Sequence, residues 1–252
     1  NDISNVNATF DGVSDSIGNL TNGSGTAISS NLDVIVNADG TVAITVSDAD
    51  GSAITAQQLS VVGSATTGTV TVTNAVAITG STAQATAALV TAGSLVEVSD
   101  ATVTINDADG SALNAEDLSA IGNKTTGTVT VTNAVAISGT TAQVTAALVT
   151  AGTLVEVTDA AVTIDDTPTI AELNAIAAKT TGVVTATLAA NSLANLGALT
   201  TAGTDVITIT VNDADAAELT AADLSTLGGR TAGTVTVTNA VAITGSTAQA
   251  TA

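Results

Sequence analysis

An internal repeat constrains the fold of this 252-residue chain more than any other feature of its sequence. Residues 74–87 read NAVAITGSTAQATA and recur without change at 239–252, and a close variant, NAVAISGTTAQVTA, occupies 133–146. The motif Thr-(Thr/Ala)-Gly, which ends at Gly68, Gly127, Gly182 and Gly233, divides the chain into units of 59, 55 and 51 residues. A chain built from such copies is expected to form an array in which each unit packs on its neighbours.

Each unit contains runs in which apolar and polar residues alternate, a pattern typical of strands with one buried face. In GTVTVTNAVAI the apolar positions include Val70, Val72 and Ile78, and in SLVEVSDATVTI they flank Glu97. A charged residue in the middle of such a run predicts that its side of the strand faces solvent. An Asn or Asp interrupts each run and predicts a turn, because its side chain can bond to nearby main-chain groups.

Short runs rich in Ala and Leu follow the predicted strands and carry the boundary signals of helices. STAQATAALVTAG opens with Ser81 and has Gln84 three residues later, the spacing of a capping box. It ends at Gly93, a residue suited to the left-handed position after a helix. In DTPTIAELNAIAAK, Pro168 is expected at the first helical position. Each helix has about two to three turns, too few for stability alone in water, so we expect it to pack on the strands.

A second Thr-Ala-Gly motif, ending at Gly93, Gly152 and Gly203, splits the units into half-units of 21 to 34 residues. A strand, a turn and a short helix in each half-unit predict an α/β solenoid of strand–turn–short-helix coils with parallel strands. VTVTN resembles the leucine-rich-repeat pattern of two inward apolar residues followed by Asn, with Val in place of Leu. Two alternatives stay open: an all-β solenoid, and tandem small α+β modules in which VEVSDATVTI folds as a tight hairpin.

The repeat array is predicted to occupy residues 33–252, with copies at about 33–67, 68–126, 127–181 and 182–232 and a partial copy at 233–252. The first boundary rests on aligning DVIVNADGTVAITVSDADG (33–51) with SLVEVSDATVTINDADG (94–110). Residues 1–32 are rich in Asn, Ser and Gly and are predicted to form an irregular N-terminal cap or linker. The partial copy stops inside a predicted helix, so the sequence predicts that residue 252 is not a natural domain end.

Composition excludes several functions. With 23 acidic and 3 basic residues the net charge is −20, which predicts no binding to nucleic acid, since phosphates are held by Lys and Arg. No apolar run approaches the roughly 18–20 residues of a membrane span, so we expect no membrane insertion in this segment. The chain has no His and no Cys, which removes the usual catalytic triads and zinc sites. The acidic residues recur in register with the repeat, and we therefore expect no enzyme activity.

Acidic residues cluster in turns such as SDADGSA, NDADGSALNAE, IDDTP and NDADAAE. Calcium prefers six to eight oxygen ligands, which Asp side chains and turn carbonyls supply, so Ca²⁺ is the candidate cofactor. The alternative interpretation is that these residues form Asx turns and helix N-caps ahead of the following helix. The candidate ligands are Asp48, Asp50, Asp107, Asp109, Glu116, Asp165, Asp166, Asp213 and Asp215.

Two further sets of residues are predicted to act between repeats. The three basic residues, Lys124, Lys179 and Arg230, occupy one repeat position just past a predicted helix end. A cation there favours the helix dipole, or it forms a salt bridge with a carboxylate of the neighbouring coil and so fixes the stacking register. The second set follows the leucine-rich-repeat pattern, in which stacked asparagines join successive coils, and consists of Asn74, Asn133 and Asn239.

The near-identical TTGTVTVTNAVAI(S/T)G copies, together with LNAEDLSAIGNKTTG and TIAELNAIAAKTTG, resemble tandem repeats of giant bacterial cell-surface proteins. Adhesin-like and surface-layer proteins of marine cyanobacteria are of this kind. The resemblance covers about residues 33–252 and implies an extracellular or cell-surface protein that is structural or adhesive and often calcium-dependent. It carries over no functional residue.

Two functions are therefore expected. The first is an extracellular structural repeat protein, a segment of a long surface fibre, filament or coat that associates with itself through repeated identical contacts. The alternative is an adhesin or ligand-binding solenoid on the cell surface, with a surface glycan as a candidate ligand. Such a binder needs unlike residues along its exposed face, whereas the repeats carry mostly Thr, Ser and Ala there, which favours the structural role.

Overall fold

The computed structural model of the chain describes residues 10–250, and the side chains of residues 10–249. Short strands alternate with short helices, and neighbouring strands run parallel, as expected for an α/β solenoid. The strands are β1 (Val13–Asp15), β2 (Ile44–Val46), β3 (Ala53–Thr55), β4 (Val70–Val72), β5 (Ala77–Gly80), β6 (Val96–Glu97), β7 (Thr102–Ile105), β8 (Ala112–Asn114), β9 (Val129–Val131), β10 (Ala136–Gly139), β11 (Val155–Glu156), β12 (Ala161–Ile164), β13 (Val184–Thr187), β14 (Val206–Val211), β15 (Glu218–Thr220), β16 (Val235–Val237) and β17 (Ala242–Thr244). The helices are α1 (Ile17–Leu20), α2 (Ser30–Ala38), α3 (Ala56–Gly63), α4 (Thr82–Leu89), α5 (Ala115–Gly122), α6 (Thr141–Leu148), α7 (Ile170–Ala177), α8 (Leu193–Leu196), α9 (Ala221–Gly228) and α10 (Thr247–Ala250).

One compact unit comprises the residues up to 108 together with 117–133 and 150–156. It contains a four-stranded sheet in the order β1-β2-β4-β6 and a five-stranded sheet in the order β11-β9-β7-β5-β3. Partner strands are one coil apart in the chain: Ile44 pairs with Val70, and Val70 pairs with Val96. Each sheet therefore gains one strand per coil, which is the geometry of a solenoid.

The other compact unit comprises residues 109–116, 134–149 and 157 onward. Its six-stranded sheet has the order β16-β14-β13-β12-β10-β8, and a two-stranded sheet pairs β15 with β17. The six-residue strand β14 pairs through its first half with β13 and through its second half with β16. Both sheets are parallel, so the same rule of one strand per coil holds here.

Two short strands precede the helix of a typical coil. β4 ends at Val72, the chain turns at residues 73–76, and β5 begins at Ala77 in a different sheet. β6 and β7, which make up VEVSDATVTI, also lie in different sheets and pair with strands of other coils, so this segment is not a hairpin. The longer half-unit that ends at Gly127 adds a third strand, β8, after its acidic turn.

The core contains the apolar residues that alternate with polar ones along the strands. Val70, Val72 and Ile78 are at most 3 % exposed, whereas Glu97 and Glu156 on the opposite side are exposed. Leucines and alanines of the helices close the other side of the core. The chain has only one Phe and no Trp or Tyr, so aliphatic side chains fill this narrow interior.

The structure confirms the first residues predicted for the helices more often than the last ones. Capping boxes begin α3, α4, α6 and α7, and in α4 the Gln84 side chain accepts from the Ser81 N–H at 3.0 Å. The prediction for Gly93 is wrong, because α4 ends at Leu89 and Gly93 does not adopt a left-handed φ. Pro168 lies before the N-cap of α7 and not at its first position.

The region before the predicted array is also organised. β1 pairs in parallel with β2, and α1 follows it, so strand stacking includes residues 13–20. Residues 34–38, which align in sequence with a strand of the later copies, belong to α2, whose N-cap Ser29 accepts from the Leu32 N–H. Residues 1–9 of the predicted cap and residues 251–252 of the partial copy lie outside the described residues.

Candidate functional site

The Thr-(Thr/Ala)-Gly motif binds each coil to the preceding one. The Thr125 hydroxyl donates to the Ala101 carbonyl at 2.5 Å and accepts from the Gly127 N–H at 3.0 Å. The Thr126 N–H and hydroxyl both donate to the Ser99 carbonyl, at 2.8 and 3.0 Å. The same hydroxyl-to-carbonyl bond joins Thr66 to Val42, Thr180 to Ala160 and Thr231 to Ile207. The repeated threonines are therefore contacts between coils.

The glycine of this motif is required by close approach of two main chains. A Cβ at Gly127 would lie 2.3 Å from the Ala101 carbonyl oxygen, and Gly68, Gly182 and Gly233 meet carbonyl oxygens at 2.3 to 2.4 Å in the same way. Gly93 and Gly152, which end the superficially similar Thr-Ala-Gly motif, have nothing within 4 Å of such a Cβ. Gly203, the third glycine of that second motif, would place a Cβ 2.9 Å from the Gly229 carbonyl oxygen, so Gly93 and Gly152 are the two that lack a packing role.

One carboxylate of each acidic turn, the first in three of the turns and Asp166 in IDDTP, binds the N-terminus of a helix in the preceding coil. Asp107 Oδ2 accepts from the Thr82 N–H at 2.7 Å and from its hydroxyl at 2.8 Å, at the first residue of α4. Asp166 makes the same two contacts with Thr141 at the start of α6. Asp48 and Asp213 accept from the first N–H groups of α1 and α8, at 2.6 and 2.7 Å. A carboxylate satisfies an otherwise unpaired N–H at this position and is favoured by the helix dipole.

The second carboxylate and the repeated asparagine join the acidic turn to the following coil. The Asn74 amide donates to the Asp48 carbonyl at 2.5 Å, and Asp50 Oδ1 accepts from the Ala75 N–H at 3.0 Å. The Gly51 N–H donates to the Ala75 carbonyl at 2.8 Å. The amide bond recurs from Asn133 to Asp107 and from Asn239 to Asp213, and the carboxylate bond recurs at Asp109 and Asp215. The acidic turns at residues 48–50, 107–109 and 213–215 thus contact both neighbouring coils.

These contacts differ in one respect from the predicted caps of the following helix. The capped helix is one coil back in the chain, not the helix that follows each turn. Glu116 accepts from the Gln143 amide at 2.9 Å, and the Asp165 side chain is exposed. Within residues 10–250, no cluster of three or more acidic side chains has the arrangement of a metal site. Calcium binding stays a prediction that no observation tests.

Hydrogen bonding lowers the pKa of several carboxyl groups. The pKa of Asp166 lies below its ordinary value because the Thr141 hydroxyl and then the Thr141 N–H donate to the carboxylate. The pKa of Glu172 is lowered by the N–H and hydroxyl of Thr169 in the α7 capping box, against a smaller opposing effect from the Asp166 charge. The ionised forms therefore stabilise the native contacts.

The basic residues lie where the sequence places them, just past the ends of helices. The Lys124 N–H donates to the Ile121 carbonyl at 2.9 Å, and Lys179 and Arg230 repeat this bond with Ile176 and Leu227. Lys179 and Arg230 are exposed, and Lys124 is half-buried. The backbone positions suit the helix-dipole interpretation, and the predicted salt bridge between coils stays a prediction.

Asp205 is a structural residue that the sequence did not single out. It is 3 % exposed, and its carboxylate accepts from the Val184 N–H and the Ala202 N–H, each at 2.8 Å. Its carbonyl accepts from the Ala232 N–H at 2.7 Å. The available signal was its position two residues after a Thr-Ala-Gly motif, but two of its three partners, Val184 and Ala232, lie in other coils.

A cleft of about 430 Å³ lies between α8 and α9. α8 has four residues, whereas α9 has eight. The shorter helix, α8, belongs to the shortest half-unit of the chain. Buried leucines line the cleft together with four charged residues, which are Asp213, Glu218, Asp223 and Arg230. This is a place where the regular helix stacking is interrupted, and it offers both apolar and charged groups.

The coil of residues 233–249 has exposed apolar residues and strand edges. Ile243 is 56 % exposed, whereas the equivalent Ile78 is fully buried. Among the described residues, β16 pairs only with β14 and β17 only with β15. The equivalent strands β4 and β5 each have two neighbours.

No protein-family model, curated protein or solved structure matches the chain. The likeness to giant cell-surface repeat proteins thus stays a prediction. Among the described residues, no helix has the length and apolar character needed to cross a bilayer.

Proposed function

We propose that this chain is a segment of an extracellular structural repeat protein, part of a long surface fibre, filament or coat that associates with itself. The proposal rests on one observation: the residues that recur in the sequence form hydrogen bonds between neighbouring coils. The threonines, asparagines and paired aspartates that recur in the sequence make bonds from one coil to the next. A repeat whose constant residues serve stacking is suited to extending a structure by identical contacts.

The chemistry of the surface agrees with this role. The net charge of −20 keeps separate molecules soluble, and an assembly contact therefore has to be specific. The absence of Cys and Met from the chain leaves no easily oxidised side chain, which suits an exposed extracellular position.

Electron microscopy and analytical ultracentrifugation of the purified chain test the proposal. We expect filaments or sheets at high protein concentration, with a spacing that reflects one chain length per subunit. A parallel sample with a calcium chelator tests the candidate cofactor: loss of assembly supports calcium, and unchanged assembly removes it. Monomers under all conditions would contradict the structural role.

Surface location needs a separate measurement in the native cell. An antibody against this chain should label intact cells, and external protease should remove the label. Labelling only after permeabilisation would contradict the extracellular assignment.

The cleft between α8 and α9 favours a second candidate, a ligand-binding role on the cell surface. Its charged residues are spaced around buried leucines, and binding clefts combine apolar surface with a few polar groups in this way. A glycan array tests it with Arg230→Ala, which removes an exposed charge of the cleft and leaves the buried leucines intact, as the matched variant. Binding that this variant abolishes supports the candidate, and equal binding by both proteins opposes it.

A further inference from the structure

We propose that the cleft between α8 and α9 binds a short apolar peptide with a free amino terminus and a free carboxyl terminus. The inference deepens the second candidate function and rests on it, because it names the ligand of that cleft. All residues that line the cleft lie between positions 193 and 230, inside one compact unit, and described coils precede and follow them. The cleft is therefore an internal feature of the repeat array.

The first repeat contains a similar pair of helices, and there another segment of the chain packs on the second helix. α1, like α8, has four residues and an aspartate on its first N–H group, and the helix α3 of the next coil has eight residues, like α9. Gly25, which follows α1, lies so close to α3 that a Cβ on it would be 2.7 Å from Gln58 Cγ. The chain between α8 and β14, residues 197–205, is much shorter than the chain between α1 and β2, residues 21–43. The space beside α9 is therefore open, with a volume of about 430 Å³.

Two charged residues of the cleft depart from the repeat. Glu218 stands where the other copies of the acidic turn have Ala53 and Ala112. Arg230 stands where the first copy has Ala65. Both charged side chains are exposed, and among the described residues neither forms a hydrogen bond or an ion pair. Two charges of opposite sign therefore face one cleft without neutralising each other.

These two charges lie at opposite ends of α9. Glu218 precedes the helix and Arg230 follows it, and a helix of eight residues is about 12 Å long. Asp223, in the first turn of α9, adds a second carboxylate near Glu218. A dipolar ligand fits this arrangement when its ammonium group lies near Glu218 and its carboxylate near Arg230, because a guanidinium binds a carboxylate through paired N–H groups. An extended peptide covers about 3.3–3.6 Å per residue, so about three residues span this length.

Between its charged ends the cleft offers a strand edge and apolar side chains. β15 pairs with β17, and the Ala242 N–H donates to the Ala217 carbonyl at 2.8 Å. Main-chain groups of successive residues in a strand point to opposite edges, so the N–H and carbonyl of Glu218 point away from β17. An extended peptide can bond to such an edge while its side chains contact apolar residues. The leucines that line the cleft are Leu193, Leu196, Leu199, Leu219 and Leu227.

Peptides with blocked ends test each charged contact separately. The probe is the tripeptide Ala-Leu-Ala, together with its N-acetylated and C-amidated forms, titrated into the full chain while the leucine methyl signals are followed by NMR. Glu218→Ala and Arg230→Ala introduce the residue type that the first repeat has at each position, so both variants should keep the fold. We expect the free peptide to shift the signals of the cleft leucines. Each variant should weaken its binding by about fivefold, the upper size of the effect of an exposed charge pair.

The decisive measurement combines each variant with the peptide that lacks the matching charge. Glu218→Ala should not further weaken binding of the N-acetylated peptide, and Arg230→Ala should not further weaken binding of the C-amidated peptide, because the partner charge is already absent. Lys179→Ala is the matched control, since Lys179 is exposed and occupies the position of Arg230 one copy earlier, and it should leave every affinity unchanged. The inference is overturned if the free peptide does not bind, or if the effects of the variants and of the blocked ends simply add.

The outcomes separate this inference from the candidate function on which it rests. Glycan binding that depends on Arg230, without peptide binding, would support a ligand-binding cleft and overturn the peptide assignment. Peptide binding with the expected pairing of variants and blocked ends, and no glycan binding, would support the peptide as the ligand. Absence of both kinds of binding would overturn the inference and the candidate function together.

Discussion

Replacing Gly127 by Ala should destabilise the packing between two coils without altering any exposed surface. The new Cβ would lie 2.3 Å from the Ala101 carbonyl oxygen, about 1 Å closer than ordinary contact, and 2.8 Å from the Asp100 oxygen. Both are main-chain atoms, so a side-chain rotation cannot relieve the overlap. The two chain segments have to separate.

The size of the effect follows from the bonds that this separation breaks. Thr125 and Thr126 donate three hydrogen bonds to the Ala101 and Ser99 carbonyls. Loss of two or three of these at about 1 kcal/mol each, with an overpacking cost of about 1–3 kcal/mol, gives a decrease of about 3–6 kcal/mol in the free energy of unfolding. For a chain of this size, at about 2–4 °C per kcal/mol, Tm should fall by roughly 6–24 °C.

Gly93→Ala is the matched control, since it changes the glycine of the similar Thr-Ala-Gly motif. No atom lies within 4 Å of its Cβ and its φ is not left-handed, so we expect a change of less than about 1 kcal/mol, in the stabilising direction. Calorimetry and urea unfolding measure both variants, and hydrogen exchange at residues 99–131 localises the loss. Equal stability of the two variants would refute the close-approach argument.

Three further predictions concern single side chains. Ala216 has a left-handed φ of 63°, and the equivalent positions of two other acidic turns are Gly51 and Gly110. Ala216→Gly should therefore raise the free energy of unfolding by about 0.5–1 kcal/mol in a urea titration, and a decrease would contradict the strain argument. Asp205→Ala removes the acceptor of the buried Val184 N–H and of the Ala202 N–H and should lower the free energy of unfolding by about 2–4 kcal/mol in thermal unfolding; an unchanged Tm would show that water replaces the carboxylate. Because the native pKa of Asp166 is lowered, its contribution is present above the unfolded value of about 3.8 and is lost as pH falls through the native value. Stability should therefore decline below about pH 4, and Asp166→Asn should decline less steeply there; parallel curves for the two proteins would contradict this contribution.

Features that depend on neighbours in the chain were predictable. Alternation in GTVTVTNAVAI placed Val70 and Ile78 in the core, because successive side chains of a strand point to opposite faces. The capping box of Ser81 and Gln84 was likewise readable, since both partners lie within one helical turn. The solenoid class and the parallel pairing followed from these elements and their spacing.

Features that depend on the neighbouring coil were not predictable in the same way. The Asp107 carboxylate caps a helix that begins 25 residues earlier, and no local pattern distinguishes it from an Asx turn. Gly93 and Gly127 end nearly identical motifs, yet only Gly127 faces the main chain of another coil.

The sequence alone therefore determined the alternation of strands and helices in the repeats, which faces are apolar, and that one unit is repeated. The tertiary structure decided which strands pair, which carboxylate binds which helix, and that residues 34–38 belong to a helix although they align with a strand of the later copies. The physical reason is distance along the chain: periodicity and capping act over two to four residues, whereas stacking acts between residues about 25 positions apart.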